Sequence, residues 1–127
     1  MHGDTLCSDD TAYLAFRERV RDSAWQADFL AKPLPLRKSL VGYWRQSSER
    51  EKRRKPEAIM DVNSATVNEV LRQHGYPRLI HGHTHRPARH EHQVDGRLCE
   101  RWVLPAWDVG GGYLHCTRDG TCVALAA

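Results

Sequence analysis

The stretch DVNSATVNEVLRQHGYPRLIHGHTHRP, residues 61 to 87, constrains the fold more than any other part of the sequence. Apolar residues recur in it at helical spacing, Asn63 or Ser64 can cap the start of that helix, and Gly75 can end it. The apolar run RLIHG follows directly and predicts a short strand whose end carries histidines. Because active-site loops commonly follow strand ends in α/β folds, we expect this helix and strand to deliver a functional loop.

Helices are predicted before this stretch and strands after it. Apolar residues at helical spacing predict a helix from about residue 10 to residue 30, which the prolines of KPLP end. A second helix runs from the apolar LRKSLVGYW into a wholly polar segment that Pro56 closes. The Asp-Gly turns of QVDGRL and TRDGT predict an antiparallel meander over residues 88 to 126. The expected fold class is therefore α/β or α+β.

The length and the composition indicate one water-soluble domain. A chain of 127 residues is long enough for one core and too short to expect two, so we take residues 1 to 127 as a single domain. No apolar run reaches the roughly 18 residues of a membrane span, and the N-terminus lacks the basic and apolar regions of a signal peptide. We therefore expect a cytoplasmic protein, for which contact with a membrane surface stays open.

The four cysteines are expected to be thiols. Cys7, Cys99, Cys116 and Cys122 show no Cys-x-x-Cys spacing, and the cytoplasm is a reducing compartment. The alternative is a disulfide between Cys116 and Cys122, which could face each other across the hairpin CTRDGTC.

Five of the eight histidines fall in the string LIHGHTHRPARHEH. His83 and His85 are separated by one residue, so their rings would point the same way from an extended or tightly turned backbone. Neutral imidazole is a common ligand of divalent metals, but a histidine-rich surface loop fits this spacing equally well. We expect His81 to bond a neighbouring group at the strand end, and His90 and His92 to lie on a solvated strand.

Three motifs together resemble those of the calcineurin-like metallophosphoesterases. The motifs are MHGDTLCSDD, AIMDVN and LIHGHTHRP. In that superfamily Gly-His-x-His and an earlier Gly-His or His-Gly segment supply the later ligands of a two-metal site. The separations are similar to those of the branch that hydrolyses UDP-2,3-diacylglucosamine in the lipid A biosynthesis of Gram-negative bacteria. The resemblance runs from Met1 to the C-terminal strands, and it implies a sandwich of two sheets flanked by helices.

The resemblance implies a pair of manganese ions. His2 and His83 would bind one ion and His85 the other. Asp4 would not bind a metal itself but would orient one of the ligands. Family members carry further carboxylate and asparagine ligands in Asp-x-His, Gly-Asp and Gly-Asn-(His/Arg)-Asp motifs that come before the His-Gly-Asp segment, and none of these precedes it in this sequence. We therefore expect the chain to be the C-terminal part of a longer protein, with an incomplete metal site and impaired activity.

The resemblance also implies a helical insertion, residues 10 to 57, that covers the active site and contacts a nucleotide-sugar lipid. Such a substrate implies peripheral contact with the cytoplasmic side of the inner membrane, and no obligate protein partner is expected. Carried over by position, the substrate contacts would be Asp10, Tyr13, Arg45, Ser48, Lys52, Lys55 and His83.

The segment RQSSEREKRRK, residues 45 to 55, leaves other interpretations open. Six of its eleven residues are basic, and a solvated helix face is the simplest explanation. Nucleic-acid binding is a second, but no aromatic residue alternates with the basic ones to stack on bases, so no nucleic-acid partner is expected. Two functions therefore compete with the hydrolase: a noncatalytic basic binding module, and another metallophosphoesterase acting on nucleotides or phosphodiesters.

Overall fold

The computed structural model describes residues 1–56, 59–75 and 77–126. The chain divides into two compact units. One consists of Ser8–Met60 and is helical, and the other consists of Met1–Cys7 with Asp61–Ala127 and contains the sheets. The combination of helices with parallel and antiparallel strands confirms the predicted α/β class.

Three helices form the first unit: α1 (Thr11–Arg21), α2 (Ser23–Ala31) and α3 (Leu34–Lys52). The single helix predicted from residue 10 to residue 30 is divided in two at Asp22. The backbone of Asp22 is extended, and its carboxylate caps α2 by accepting from the Trp25 amide at 2.7 Å. Residue 57, the last of the predicted insertion, lies outside the described residues. In the described part of the chain, no helix combines the length and the apolar composition that crossing a membrane requires.

An aromatic cluster joins the three helices. The Trp25 ring stacks on Phe29 with centroids 5.2 Å apart, and these two rings lie 5.8 and 5.6 Å from the ring of Trp44. Phe16 of α1 meets Trp44 of α3 edge to face at 6.2 Å. Aromatic pairs at such separations contribute about 0.5–1.5 kcal/mol each beyond their burial, so these contacts stabilise the packing of α1, α2 and α3.

The second unit is built on a three-stranded sheet of β1 (Arg78–His81), β2 (Ala88–Val94) and β3 (Arg97–Val103). β3 lies in the centre, with β1 parallel to it on one side and β2 antiparallel on the other. The β2–β3 connection is the predicted Asp-Gly turn, since φ is positive at both Asp95 (50°) and Gly96 (77°). The parallel register places His81 opposite Val103, so β1 ends beside the end of β3.

Helix α4 (Ser64–His74) packs on this sheet, and its predicted boundaries are confirmed. Asn63 caps it by accepting from two amides of the first turn at 2.9 and 3.1 Å, and Gly75 ends it in the left-handed region at φ 62°. Fully burying one aliphatic side chain contributes about 1.5–3 kcal/mol, so the buried core residues contribute much of the stability of this unit. The core residues are Leu6, Val67, Leu71, Leu79, Val94 and Cys99.

A second sheet of two strands follows, formed by β4 (Tyr113–Cys116) and β5 (Cys122–Leu125). The antiparallel pairing predicted for residues 88 to 126 is present in both hairpins, but the hairpins belong to different sheets and do not form one continuous meander. Pro105 has no amide hydrogen to donate, and the glycines at 110 to 112 all have positive φ. The chain between β3 and β4 therefore cannot continue the ladder.

A disulfide joins Cys116 to Cys122. The expectation of four thiols is therefore wrong for these two residues, whereas Cys7 and Cys99 are buried thiols, as expected. The physical reason is the register of the hairpin. Cys116 and Cys122 are direct cross-strand partners with Cα atoms 4.2 Å apart, so their side chains meet on one face.

The Asn63 cap gives the first prediction. Replacing Asn63 with Ala removes the acceptor for two amides of α4 and should lower the free energy of unfolding by about 1 kcal/mol in urea titrations. Asn63→Asp keeps a side-chain oxygen acceptor at the same place and serves as the matched control, which should stay close to the wild type. Equal stability of the Ala variant and the wild type would contradict the role of the cap.

Candidate metal centre

The end of β1 leads into a tight turn that carries two of the histidines. The Thr84 amide donates to the Gly82 carbonyl at 2.8 Å across His83, whose φ is 68°. This is a three-residue γ-turn of the rare, strained type. His85 also has positive φ, at 54°. Residues other than glycine seldom adopt positive φ, and backbone strain of this kind is concentrated at functional sites. The backbone conformation therefore marks the loop as a candidate site.

The first residues of the chain lie along the free edge of β1. The Met1 ammonium donates to the Ile80 carbonyl at 3.0 Å, and the Gly82 amide donates to the His2 carbonyl at 2.9 Å. These bonds bring the ring of His2 to the ring of His83, with centroids 5.0 Å apart and planes at 73°. His2 Nε2 and His83 Nδ1 are separated by 3.2 Å. Two histidines far apart in sequence thus form one pair at the strand end.

The spacing of these nitrogens fits a shared metal ion. Two imidazole nitrogens that are each about 2.1 Å from one ion lie roughly 3.0 to 3.4 Å apart, depending on the coordination geometry. The pair at 3.2 Å therefore matches one edge of a coordination polyhedron. The structure brings together two of the three predicted ligands, while the third, His85, is exposed after the turn. In residues 1–56, 59–75 and 77–126, no group of three or more His, Cys, Asp or Glu is arranged to hold a metal.

His81 lies beneath this loop with no exposed surface. Its Nε2 is 3.1 Å from Arg101 Nη1, and its Nδ1 is 2.9 Å from the Gly82 carbonyl. A guanidinium can only donate, so Nε2 accepts and Nδ1 carries the hydrogen that bonds Gly82. Burial lowers the pKa of His81, and the charge of Arg101 lowers it further against the opposing bond to Gly82. The prediction that His81 bonds a neighbour at the strand end is confirmed.

A second imidazole accepts from the same arginine. Arg101 Nε donates to His92 Nε2 at 3.2 Å, and His92 Nδ1 bonds Asn68 Oδ1 of α4 at 3.1 Å. The expectation of a solvated strand is therefore wrong for His92, which is half-buried because the β2 face that carries it turns towards α4. His90 is half-buried on the same face, and burial followed by the charge of Arg101 lowers its pKa.

Arg101 is only 7% exposed, and the sequence analysis did not predict it as a site residue. A signal was present in the sequence. Cys99, Arg101 and Val103 alternate along β3 and all point inward, so the arginine occupies a core position of an otherwise apolar pattern. A charged residue on the buried face of a strand must find partners there, and here the partners include His81 and His92.

Two further contacts restrain the loop and the N-terminal segment. Gly3 has φ 108°, and a Cβ built on it would lie 2.7 Å from His81 Nδ1, so only glycine lets the segment pass over that ring. After the histidines, Arg86 Nη1 donates to Asp61 Oδ2 at 2.8 Å. Asp61 also accepts from the Val62 amide at 2.7 Å, which fixes its carboxylate. The motif AIMDVN thus anchors the exit of the histidine loop.

The predicted substrate contacts outside the loop lie in the helical unit. Asp10 caps α1 by accepting from the Tyr13 amide at 3.0 Å, and it pairs with Lys55 at 2.6 and 2.8 Å. The remaining three predicted contacts are exposed and spaced at helical intervals along one face of α3: Arg45, Ser48 and Lys52. Lys52 lies 3.2 Å from Glu49, and substrate binding by any of these residues stays a prediction.

Relatives with a known name match nearly the whole chain, although no family model does. UDP-2,3-diacylglucosamine hydrolase of Aromatoleum aromaticum is 55% identical over 124 residues, covering 98% of this chain and 51% of the relative. The hydrolase of the same name from Bordetella pertussis is 50% identical over 125 residues, covering 94% and 48%. That from Nitrosococcus oceani is 47% identical over 120 residues, also covering 94% and 48%.

These relatives confirm the resemblance that the motifs indicated. The chain is similar to part of several enzymes named UDP-2,3-diacylglucosamine hydrolase. It spans about half the length of the curated relatives it matches.

Gly3 gives a prediction that separates steric conflict from backbone strain. Gly3→Ala should destabilise the chain by more than the roughly 1–2 kcal/mol that a left-handed alanine costs, because its Cβ also meets the His81 ring. Gly75→Ala is the matched control, since Gly75 is left-handed too but a Cβ there meets nothing within 4 Å. Urea unfolding of both variants measures the difference, and equal losses would mean that His81 yields to the added methyl group.

The buried histidines give a prediction about pH. The pKa values of His81 and His92 are lowered in the folded chain, by burial first, relative to about 6.5 in the unfolded chain. The folded state therefore binds fewer protons, so its stability is full above about pH 6.5 and falls as the pH drops through the lowered values. The free energy of unfolding, measured at about pH 8 and about pH 5, should be lower at the lower pH. His92→Gln, which can still donate and accept, should show a smaller loss, and a flat profile for the wild type would contradict the prediction.

Proposed function

We propose that the protein to which this chain corresponds hydrolyses the pyrophosphate bond of UDP-2,3-diacylglucosamine, giving 2,3-diacylglucosamine 1-phosphate and UMP in lipid A biosynthesis. The observation that carries the proposal is the similarity of 47 to 55% over nearly the whole chain to hydrolases named for that substrate. The strained loop and the histidine pair support it, because they give the chain a prepared polar site at a strand end.

The proposal includes a pair of Mn²⁺ ions. His2 and His83 would hold one ion, and His85 would contribute to the other. The 3.2 Å separation of the first two ring nitrogens supports this assignment, although Mn²⁺ favours oxygen ligands, which the imidazoles do not supply. Two or three ligands are too few for a stable site, so the remaining ones would come from the part of the relatives that this chain does not span. When bound, the ions supply a water of lowered pKa and neutralise charge on the phosphoryl oxygens.

The residues of this chain would orient the substrate. His83, at the turn, would contact the diphosphate as well as a metal. Arg45, Ser48 and Lys52 would bind phosphate or sugar oxygens from α3, since guanidinium and ammonium groups are strong donors to phosphate. Asp10 and Lys55, with Tyr13 beside them, would either contact the nucleotide sugar or hold the start of α1 for those that do.

An acylated substrate also requires a route for its chains. The helical unit exposes several large apolar side chains within reach of its basic residues, and such a surface suits contact with anionic lipid. We infer peripheral association with the cytoplasmic side of the inner membrane, and no obligate protein partner. The exposed apolar residues are Leu30, Leu34, Leu36 and Val41.

A chimaera tests the proposal on this chain's own residues. In it, residues 1 to 127 replace the matching half of the Aromatoleum aromaticum hydrolase, and release of UMP from UDP-2,3-diacylglucosamine is measured with added Mn²⁺. We expect turnover by the chimaera. His83→Ala should lower it by more than about 100-fold, because removing a residue that only hydrogen-bonds to a metal ligand can already cost that much activity.

His115→Ala is the matched control, because His115 is an exposed histidine on β4, far along the chain from the loop. It should keep the activity of the parent chimaera. Wild-type turnover by His83→Ala would remove that residue from the site. Turnover of nucleotide substrates without acyl chains, in place of the lipid, would instead favour another phosphoesterase.

A further inference from the structure

We propose that Arg101 is a positioning residue that holds His2 against His83. It would act through His81, Gly82 and Gly3 without touching either histidine of the pair. The inference deepens the proposed function, on which its catalytic relevance rests. Its geometry, however, can be measured without metal or substrate.

The first step is the choice of tautomer. Arg101 donates to Nε2 of both His81 and His92, at 3.1 and 3.2 Å. Because a guanidinium has no acceptor, each imidazole must present a lone pair at Nε2 and carry its hydrogen at Nδ1. The bond from His92 Nδ1 to Asn68 of α4 fixes the second ring and, through it, the plane of the guanidinium. The rigid fork of an arginine suits this double contact, whereas a lysine could bond only one ring well.

The second step is the bond that this tautomer allows. With its hydrogen at Nδ1, His81 donates to the Gly82 carbonyl at 2.9 Å. In the other tautomer Nδ1 would present a lone pair to the carbonyl oxygen, and the bond would become a repulsion. Arg101 therefore selects the form of His81 that binds Gly82.

Gly82 is the junction at which the three parts of the site meet. Its carbonyl accepts from His81 Nδ1 and also from the Thr84 amide, which closes the turn at His83. Its amide donates to the His2 carbonyl at 2.9 Å. One residue thus ties the buried ring to both members of the histidine pair.

Gly3 supplies a second restraint on the same ring. An added Cβ would lie 2.7 Å from His81 Nδ1 and 3.1 Å from both Cβ and Cγ of that residue. The segment that carries His2 therefore runs in van der Waals contact over the His81 ring, and a rotated ring would displace it. Ring orientation and the position of His2 are coupled through this contact.

Nuclear magnetic resonance of the whole chain tests the proposal without metal. Long-range ¹H–¹⁵N correlation spectra, recorded above the ordinary pKa of histidine, report the tautomer of His81. Nuclear Overhauser effects between ring protons report the contact of His2 with His83. We expect the Nδ1–H form and a clear His2–His83 effect in the wild type, and a wild type with the Nε2–H form would overturn the proposal without any variant.

Two variants and a control extend this test. Arg101→Gln should give mixed tautomers at His81 and lose most of the His2–His83 effect, while Arg101→Lys should restore part of both. Arg89→Gln, which removes another arginine of the same sheet bonded to Glu100, should leave both signals as in the wild type. An Arg101→Gln variant that retains the wild-type tautomer and the His2–His83 contact would also overturn the proposal.

The chimaera separates positioning from a merely structural role. Arg101→Gln should raise the Mn²⁺ concentration needed for half-maximal activity by about 10- to 100-fold, with kcat at saturating Mn²⁺ little changed. A general loss of folded protein would lower activity at every Mn²⁺ concentration instead, and that result would count against positioning. If the chimaera is inactive while the wild-type resonances are as expected, the proposed function fails and the role of Arg101 in holding the pair stands.

Discussion

The pairing of the first residues with the free edge of β1 is the contact on which the histidine site depends. Two backbone bonds, Met1 to Ile80 and Gly82 to His2, join parts of the chain that are about 80 residues apart in sequence. These bonds hold the backbone of His2 beside the end of β1, and so they bring its ring to the ring of His83. The sheet makes the pairing possible, because β3 occupies only one edge of β1 and leaves the other for the N-terminal segment.

Much of this arrangement follows from local chemistry and could be predicted. Asn63 and Gly75 bound α4 because a side-chain acceptor and a left-handed glycine are local devices that need no tertiary context. The predicted neighbour-bonded role of His81 is confirmed for a similar reason, since a strand end that enters a core brings a polar ring into it. The resemblance rested on three short motifs, two of which contain residues with left-handed backbone, Gly3 in the first and His83 and His85 in the last.

The remaining features depend on competition between local structures, on strand register or on tertiary partners, which the spacing of apolar residues does not reveal. Asp22 divides the predicted first helix. Its carboxylate accepts a hydrogen bond from the first turn of α2, so a new helix begins there and α1 does not continue. The disulfide depends on the register of β4 with β5, and the burial of His92 depends on which face of β2 meets α4. Arg101 was missed because its partners, His81 and His92, lie on the two neighbouring strands, and the alternation along β3 does not show them.

The backbone strain at His83 and His85 has an evolutionary meaning. Each left-handed side chain costs on the order of 1–3 kcal/mol, a cost that glycine would not incur. Glycine would relieve this strain at His83 and His85, as it would at Asp95, but at the two histidines it would also remove a ring that the proposed metal site uses. For a metal site of the kind proposed, selection for thermal stability and selection for metal binding would act in opposite directions on these two residues, which is a stability–activity trade-off.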